Sequence, residues 1–534
     1  MKGLGLFALS GLLFALMFPN LAFDRGLGAI AFVFLLPALM ALRRATLAGA
    51  ALGGAVFALV GYGLMNWWLY NYDPLAPIAA ALFSAACYAA LFLAMSFAIR
   101  SLPRTGWIMA PALWVGAEYL KTRGFFGYPF GLVGYSQYRF VALAQCASLA
   151  GVWLVSVLVL APQFLAASAA DSSREGDEAS GGCAKRTLRS LLRALPAIAA
   201  ILIAVSWGEY RLARGLESAP SSSLKIALVQ PNIAPHEESP EAYDGELSTL
   251  MLATSPALAQ RPDLVVWPET AFVPSIAWHE RYRTDEEIWP IVERCLAFIH
   301  SSGADFIIGN NQGELEVGAD GKARRVDYNA VLAFRRDRPG FSVYRKIHLV
   351  PFSEYFPFER SMPRVYRFLA QREGSFWKPG SRVGALQTSR FRVATPICFE
   401  DAFGDLTRRL AADGASLIVP VVNDVWSKST AAEYEHAACS VFRAVETGLS
   451  VARCTNSGLT CVISPLGRIE ASLDTFSSGV LVRELRIRPA VSTLYARIGD
   501  VLAQACLLAG LASLLAAAMR RGVKAFCRRL ARRA

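Results

Sequence analysis

The sequence predicts an α-helical membrane bundle of about eight spans joined to one large α/β domain. Three observations carry that reading. Hydrophobic residues make up 54% of the 534 and charged residues only 18%, too apolar a balance for an ordinary water-soluble enzyme. The apolar excess is confined to residues 1–210 and about 498–519, while 222–488 has ordinary globular composition. Within 222–488, strand-like runs alternate with helical ones, the order of a layered α/β domain.

Apolar runs of spanning length fall at about 4–23, 26–42, 46–66, 76–99, 106–120, 140–168, 191–208 and 498–519. The first leads directly into the second, so it reads as an uncleaved helix rather than a signal peptide. The chain is thereby expected to divide into a seven-helix membrane region (1–210), a catalytic-type domain (222–488), a final span (489–519) and a basic tail (520–534). The stretch Asp171–Ala184, rich in Ser, Gly and acids, reads as a flexible linker.

Lys and Arg set the orientation. With the N-terminus inside, the inner segments hold Lys2, Arg43, Arg44, Arg100, Arg104, Arg174, Lys185, Arg186, Arg189, Arg193 and the tail. The short outer loops hold Arg25, Lys121, Arg123 and Arg139, and Asn66–Asp73 carries no Lys or Arg. This bias puts 222–488 on the far side of the membrane and both termini in the cytoplasm. The net charge of +12 does not point to nucleic acid, because seven of those charges crowd the tail from Arg520 to Arg533, where anionic headgroups are the natural partner. The outer loops Trp67–Tyr72 and Phe125–Phe130 are aromatic and read as interfacial belts, or as a floor that guides a lipid.

In the α/β domain, strands are expected at Leu224–Gln230, Asp263–Trp267, Asp305–Gly309, Tyr328–Phe334, Ser342–Arg345, Phe391–Ala394, Ser416–Val422 and Leu449–Cys454. Helices are expected over 240–258, 286–301 and 431–448. Three reactive side chains stand at strand ends: Glu269 after Val265-Val266-Trp267-Pro268, Lys346 after Ser342-Val343-Tyr344-Arg345, and Cys398 in Thr395-Pro396-Ile397-Cys398-Phe399-Glu400-Asp401. A cysteine at a strand-to-helix corner has its sulfur pushed into the open beside backbone N–H groups that favour the thiolate. Taken singly, Cys398 reads as a small buried hydrophobe and Glu269 with Lys346 as a surface ion pair. The domain's five cysteines (Cys295, Cys398, Cys439, Cys454, Cys461) lack zinc-ligand spacing, the histidines do not cluster, and no metal or cofactor is expected.

Together Glu269, Lys346 and Cys398 resemble the Glu-Lys-Cys triad of the nitrilase superfamily, which implies an αββα sandwich. Eight spans, an external domain placed before the last of them, and the Lys346–Pro357 segment resemble the membrane-embedded apolipoprotein N-acyltransferase family. Trp267-Pro268-Glu269-Thr270, Tyr328-Asn329-Ala330, Ile397-Cys398-Phe399-Glu400, Asn423-Asp424 with Trp426, and Arg443-Ala444-Val445-Glu446 fall in that family's order. Val425-Trp426-Ser427-Lys428 departs from the family's usual Ala-Trp-Phe-Gly, Glu435 stands before His436 where Gln is usual, and Phe399 replaces a common tyrosine.

The resemblance implies a phospholipid acyl donor, a diacylated apolipoprotein acceptor and a cysteine thioester intermediate. Glu269 would act as general base, and Lys346 with the Phe399 N–H as stabilisers of the oxyanion. Glu354, Glu400, Asn329 and Trp426 would line the site, with Glu354 orienting Lys346 and Glu400 the acceptor amine. An apolar rim of Phe352, Tyr355, Phe356, Phe358 and the Met362–Gly380 loop would admit the acyl chain. A monomer in the bacterial inner membrane is expected. The rival readings are a membrane-tethered amidase with the same triad and a non-catalytic receptor or transporter; the first leaves eight spans unexplained, and the second the full catalytic set.

Overall fold

A computed structural model of the chain describes residues 3–103, 105–169, 183–215, 222–234, 239–317, 321–373, 376–488 and 493–531. Lys2, Arg104, Arg174, Arg532, Arg533 and residues 171–182 of the expected linker lie outside the described residues. The chain forms two compact units, one of Met1–Gly215 with Arg497–Ala534 and one of Leu216–Ala496.

The first unit is helical. Among the described residues, five helices are long and apolar enough to cross a membrane: Leu47–Met65, Ala76–Ser101, Val152–Ala169, Leu191–Arg214 and Val501–Ala531. Shorter apolar pieces occupy Leu4–Met17, Gly28–Leu42 and Val141–Ala150. Their packing relies on small residues and rings: a Cβ on Gly11 would lie 2.4 Å from the Phe57 carbonyl oxygen, and one on Gly54 only 2.3 Å from that of Tyr88, so glycine permits these helices to touch. Phe57 meets Tyr88 and Trp114 at centroid distances of 5.3 and 6.0 Å.

Two expected spans are interrupted, each for a visible reason. The run at 26–42 splits into a 3₁₀ turn, Gly28–Phe32, and a helix, Leu36–Leu42. Gln163 satisfies the break, donating to the Ala31 carbonyl and accepting from the Leu35 N–H, each at 2.9 Å. The run at 140–168 becomes Val141–Ala144, Ala147–Ala150 and Val152–Ala169, with Gly151 in the left-handed region (φ 72°) ahead of the last piece. The final helix does not stop near 519 but continues through Arg520, Arg521, Lys524, Arg528 and Arg529 to Ala531.

The second unit contains β1 (Ser222–Gln230), β2 (Leu264–Phe272), β3 (Asp305–Val317), β4 (Ala323–Phe334), β5 (Phe341–Arg345), β6 (Leu386–Gln387), β7 (Arg392–Ala394), β8 (Ala415–Ile418), β9 (Val421–Val422), β10 (Val451–Thr455), β11 (Cys461–Ile463), β12 (Ile469–Ser472) and β13 (Gly479–Ile487). One sheet has the order β13-β1-β2-β3-β4-β5, and the other β12-β11-β10-β8-β7-β6 with β9 paired to β10. The parallel pairs β1–β2, β2–β3, β7–β8 and β8–β10 need crossover helices. Helices Pro240–Leu258 and Trp289–Ser301 cover the first sheet, burying Leu247, Leu250, Val292 and Cys295 with Val265, Trp267 and Phe306. Helices Gly404–Ala412 and Thr430–Thr447 cover the second. The sheets face each other at β10, whose Cys454 thiol donates to the carbonyls of Val229 on β1 and Val266 on β2 at 3.3 and 3.4 Å. The result is an αββα sandwich of the nitrilase type.

Three elements differ from expectation. Glu269 is not beyond β2 but inside it, because β2 bulges after Trp267 and resumes pairing at Phe272 with Asn310. The run Ser416–Val422 breaks at Val419-Pro420, since proline has no N–H for the ladder. The segment 362–380 is not all loop: Pro363–Glu373 is helical.

Candidate active site

Cys398 opens a 3₁₀ turn, Cys398–Ala402, immediately after the extended residues that follow β7. Its φ of 49° is left-handed, a costly conformation for a non-glycine residue. Glu400 holds this turn. Its carboxylate accepts from the Ile397 N–H at 2.9 Å, from the Ile347 and His348 N–H groups at 2.6 and 3.0 Å, and from the Tyr344 hydroxyl at 2.9 Å. The glutamate therefore staples the Cys398 turn to the backbone beside Lys346. Burial pushes its carboxyl up to about 7 despite the three N–H donors. Its side chain is fully buried.

Across from this turn stands Lys346, 1% exposed. Its ammonium donates to Glu269 Oε1 at 3.0 Å and to Glu354 Oε1 at 2.7 Å. Burial by itself would depress the lysine, but the two carboxylates outweigh it and hold the group charged, well above its ordinary range. Asn329 Nδ2 donates to the same pair, at 2.8 Å to Glu269 and 3.3 Å to Glu354. The second oxygen of Glu269 accepts from the Asn423 N–H at 3.0 Å. The bulge that aims Glu269 places Thr270 at φ 47° and packs against Gly309, where a Cβ would lie 2.3 Å from the Pro268 carbonyl oxygen. Glu354 is fixed in turn by the Val350 N–H at 2.8 Å.

The thiol of Cys398 sits in the field of these groups. Burial raises it well above the ordinary thiol range, Glu269, Asp424 and Glu354 raise it further, and Lys346 opposes them. The resting group is thus a thiol, not the thiolate that the turn's N–H groups were expected to favour. Its Sγ lies 3.8 Å from Asp424 Oδ1.

Behind Asp424 is a second charged cluster that sequence reasoning did not assign. Asp424 Oδ2 accepts from His436 Nδ1 at 2.7 Å and from Arg453 Nη2 at 3.3 Å. Arg453, fully buried, also donates to Asp401 Oδ2 at 2.7 Å, and the Ser440 hydroxyl donates to that same oxygen. Arg443 donates to the carbonyls of Asp401 and Ala402, each at 3.1 Å, and so closes the far end of the Cys398 turn. The available signal was an arginine inside the apolar strand Val451-Ala452-Arg453-Cys454-Thr455, since a buried charge requires partners.

The remaining expected residues divide. Phe352 and Phe358 are exposed at 42% and 37%, flanking buried Phe356 with ring centroids 5.9 and 5.5 Å away. Phe399 is buried edge-on against Phe403. Trp426 donates from its indole to the Asn423 carbonyl at 3.1 Å, bracing the loop that holds Glu269. Cys295, Cys439, Cys454 and Cys461 are buried and unpaired.

Residues 10–165 match the apolipoprotein N-acyltransferase N-terminal domain, and residues 225–492 match the carbon-nitrogen hydrolase family. Apolipoprotein N-acyltransferase 1 of Treponema pallidum is 38% identical over 98% of this chain and 96% of its own. Its namesake in Treponema denticola is 33% identical over 93% of each chain. The apolipoprotein N-acyltransferase of Geobacter metallireducens is 30% identical over 96% of this chain and 94% of its own. The chain belongs to the apolipoprotein N-acyltransferase family.

In this family member the departure at Val425–Lys428 has a structural counterpart. The Ser427 hydroxyl donates to Glu433 Oε1 at 2.9 Å. Glu433 is fully buried, and burial, then the charge of Asp424, holds its carboxyl well above the usual range. Room for it comes from Gly458, where a Cβ would lie 2.0 Å from Glu433 Oε2. Lys428, which follows, has a left-handed φ of 46°. The substitution therefore goes with a buried polar pair beside Asp424.

Proposed function

We propose that the protein moves an acyl chain from a phospholipid to the α-amine of the diacylglyceryl-cysteine at a lipoprotein's N-terminus, through a thioester at Cys398. The observation that carries this reading is the buried Lys346 ammonium between Glu269 and Glu354, in a chain whose relatives are named apolipoprotein N-acyltransferases. Because the resting thiol is held protonated, it needs a base in place. Glu269 takes the thiol proton as Sγ attacks the ester carbonyl carbon. Lys346 and the Phe399 N–H stabilise the oxyanion, which collapses with loss of the lysophospholipid alkoxide. Glu269 returns the proton to that alkoxide. In the second half the acceptor amine attacks the thioester carbonyl and gives its proton to Glu269, and the cysteine leaves and is reprotonated.

Lys346 stays charged throughout, with Glu354 and Asn329 fixing its position. Exposed Phe352 and Phe358 form the apolar rim for the acyl chain and keep water from the thioester. The Lys/Arg bias supports a periplasmic site with both termini cytoplasmic. The test uses full-length protein in bilayers of labelled phospholipid with a diacylated lipopeptide. N-acylated peptide should form from the free-amine peptide and not from its N-acetylated form. Steady release of free fatty acid, with no acylated peptide, would favour an amidase-type hydrolase.

A further inference from the structure

The His436 imidazole, on helix Thr430–Thr447, touches two acceptors. Nδ1 lies 2.7 Å from Asp424 Oδ2, and Nε2 lies 3.1 Å from the Cys398 carbonyl oxygen. A carbonyl oxygen can only accept, so Nε2 carries a hydrogen. Asp424 Oδ2 already accepts from Arg453 Nη2. Nδ1, 2.7 Å from that same carboxylate oxygen, faces an acceptor as well. Against the ring stand Asp424 from the loop after β9, with Arg453 from β10 bonded to the same carboxylate, and the Cys398 carbonyl.

We propose that His436 is a positioning residue for the nucleophile, an imidazolium that donates from both ring nitrogens and ties the left-handed Cys398 backbone to Asp424. Two consequences follow from the geometry. The Cys398 carbonyl is gripped by a charged donor, and such bonds are about twice as strong as neutral ones; this holds the residue at φ 49° with its sulfur aimed. The imidazolium also offsets Asp424, whose Oδ1 lies 3.8 Å from Sγ and would otherwise oppose negative charge on sulfur. With Arg453 and Asp401 counted, the cluster holds two cations against two carboxylates and is sealed on all sides.

The inference rests on the acyl-enzyme reading of Cys398, and its test separates the two. Full-length wild type, H436Q and H436Q/D424N in bilayers are compared by alkylation of Cys398 with iodoacetamide and by single-turnover acylation from phospholipid. H436Q should slow alkylation and acylation at least about tenfold, because it removes the cation and leaves Asp424 beside the sulfur. H436Q/D424N should recover alkylation relative to H436Q, because the carboxylate left without its cation is gone as well, while acylation stays slow because the bridge to the Cys398 carbonyl is still missing. A residue that only fills space would leave alkylation in the double variant as slow as in H436Q, or slower. Unchanged rates in H436Q, or no recovery of alkylation in the double variant, would overturn the proposal; H436N and H436N/D424N give the same comparison should H436Q fail to fold. Absence of any acyl chain on wild type would remove the acyl-enzyme reading and leave the alkylation comparison standing.

Discussion

On one side of Cys398 a single cation, Lys346, lies between two glutamates; on the other, Arg453 and His436 face Asp401 and Asp424. Both clusters are buried, but they are built for different work. The lysine side opens outward through Glu354, whose side chain is 16% exposed, and keeps an excess carboxylate that can accept a proton. The arginine side is closed and balanced, and its donors go to backbone carbonyls and carboxylates of the nucleophile turn. A site that must move a proton needs an unbalanced pair near the surface of its pocket. A site that must hold a strained turn does better with charges that cancel.

The comparison breaks first at the lysine side. Lys346→Ala removes the charge aimed at the oxyanion and should cost about 2.7–4 kcal/mol in acyl-enzyme formation, roughly a hundred- to a thousandfold. Glu269→Gln should show two opposite effects. Acylation should fall because the base is lost, while alkylation of Cys398 at a fixed mildly alkaline pH should quicken because a charge that raises the thiol is gone. If both rates fell together, Glu269 would be acting on structure rather than as a base.

On the closed side the effect should appear in stability. Arg453→Met leaves Asp401 and Asp424 facing each other in a fully buried site, and removing one partner of such a cluster costs about 3–5 kcal/mol. Thermal unfolding of the full-length protein should register it. A shift of no more than a degree would mean that the cluster is not holding the turn.

The link between the two sides gives a smaller, pH-dependent effect. In the fold the Glu400 carboxyl is raised to about 7 from an ordinary 4.5. The sign follows from linkage: its stabilising contribution is full below the unfolded value and is lost as pH rises through about 7. Wild type should therefore lose stability relative to Glu400→Gln between about pH 5 and about pH 8, by at most a few kcal/mol. Parallel stability curves for the two proteins would show that Glu400 does not titrate there.

This division also decides what the amino-acid sequence could reveal. Glu269, Lys346 and Cys398 stand out in the sequence because each ends or interrupts an apolar run, and the structure sets the Lys346 ammonium 3.0 Å from Glu269. The αββα layering is equally visible, since strands and helices alternate with clear periods. The bulge at Glu269 is not visible, because it depends on Gly309 in the neighbouring strand rather than on local propensity. The interrupted run at 26–42 is hidden for the same reason: Gln163, far along the chain, satisfies the broken backbone. Glu400 shows how neighbours mislead. Its place two residues past Cys398 gives no sign of the four donors that make it the staple between β5 and the Cys398 turn. His436 and Arg453 gain meaning only once helix Thr430–Thr447 and β10 bring them to Asp424 beside Cys398.

The central claim is that Cys398 carries the acyl chain, and the intact mass of the protein tests it most directly. Full-length wild type incubated with phospholipid alone should gain the mass of one acyl chain. Hydroxylamine should remove that mass, a diacylated lipopeptide with a free α-amine should discharge it, and Cys398→Ala should never acquire it. A mass that stays unchanged in wild type, or an acyl chain that still appears on Cys398→Ala, would contradict the account.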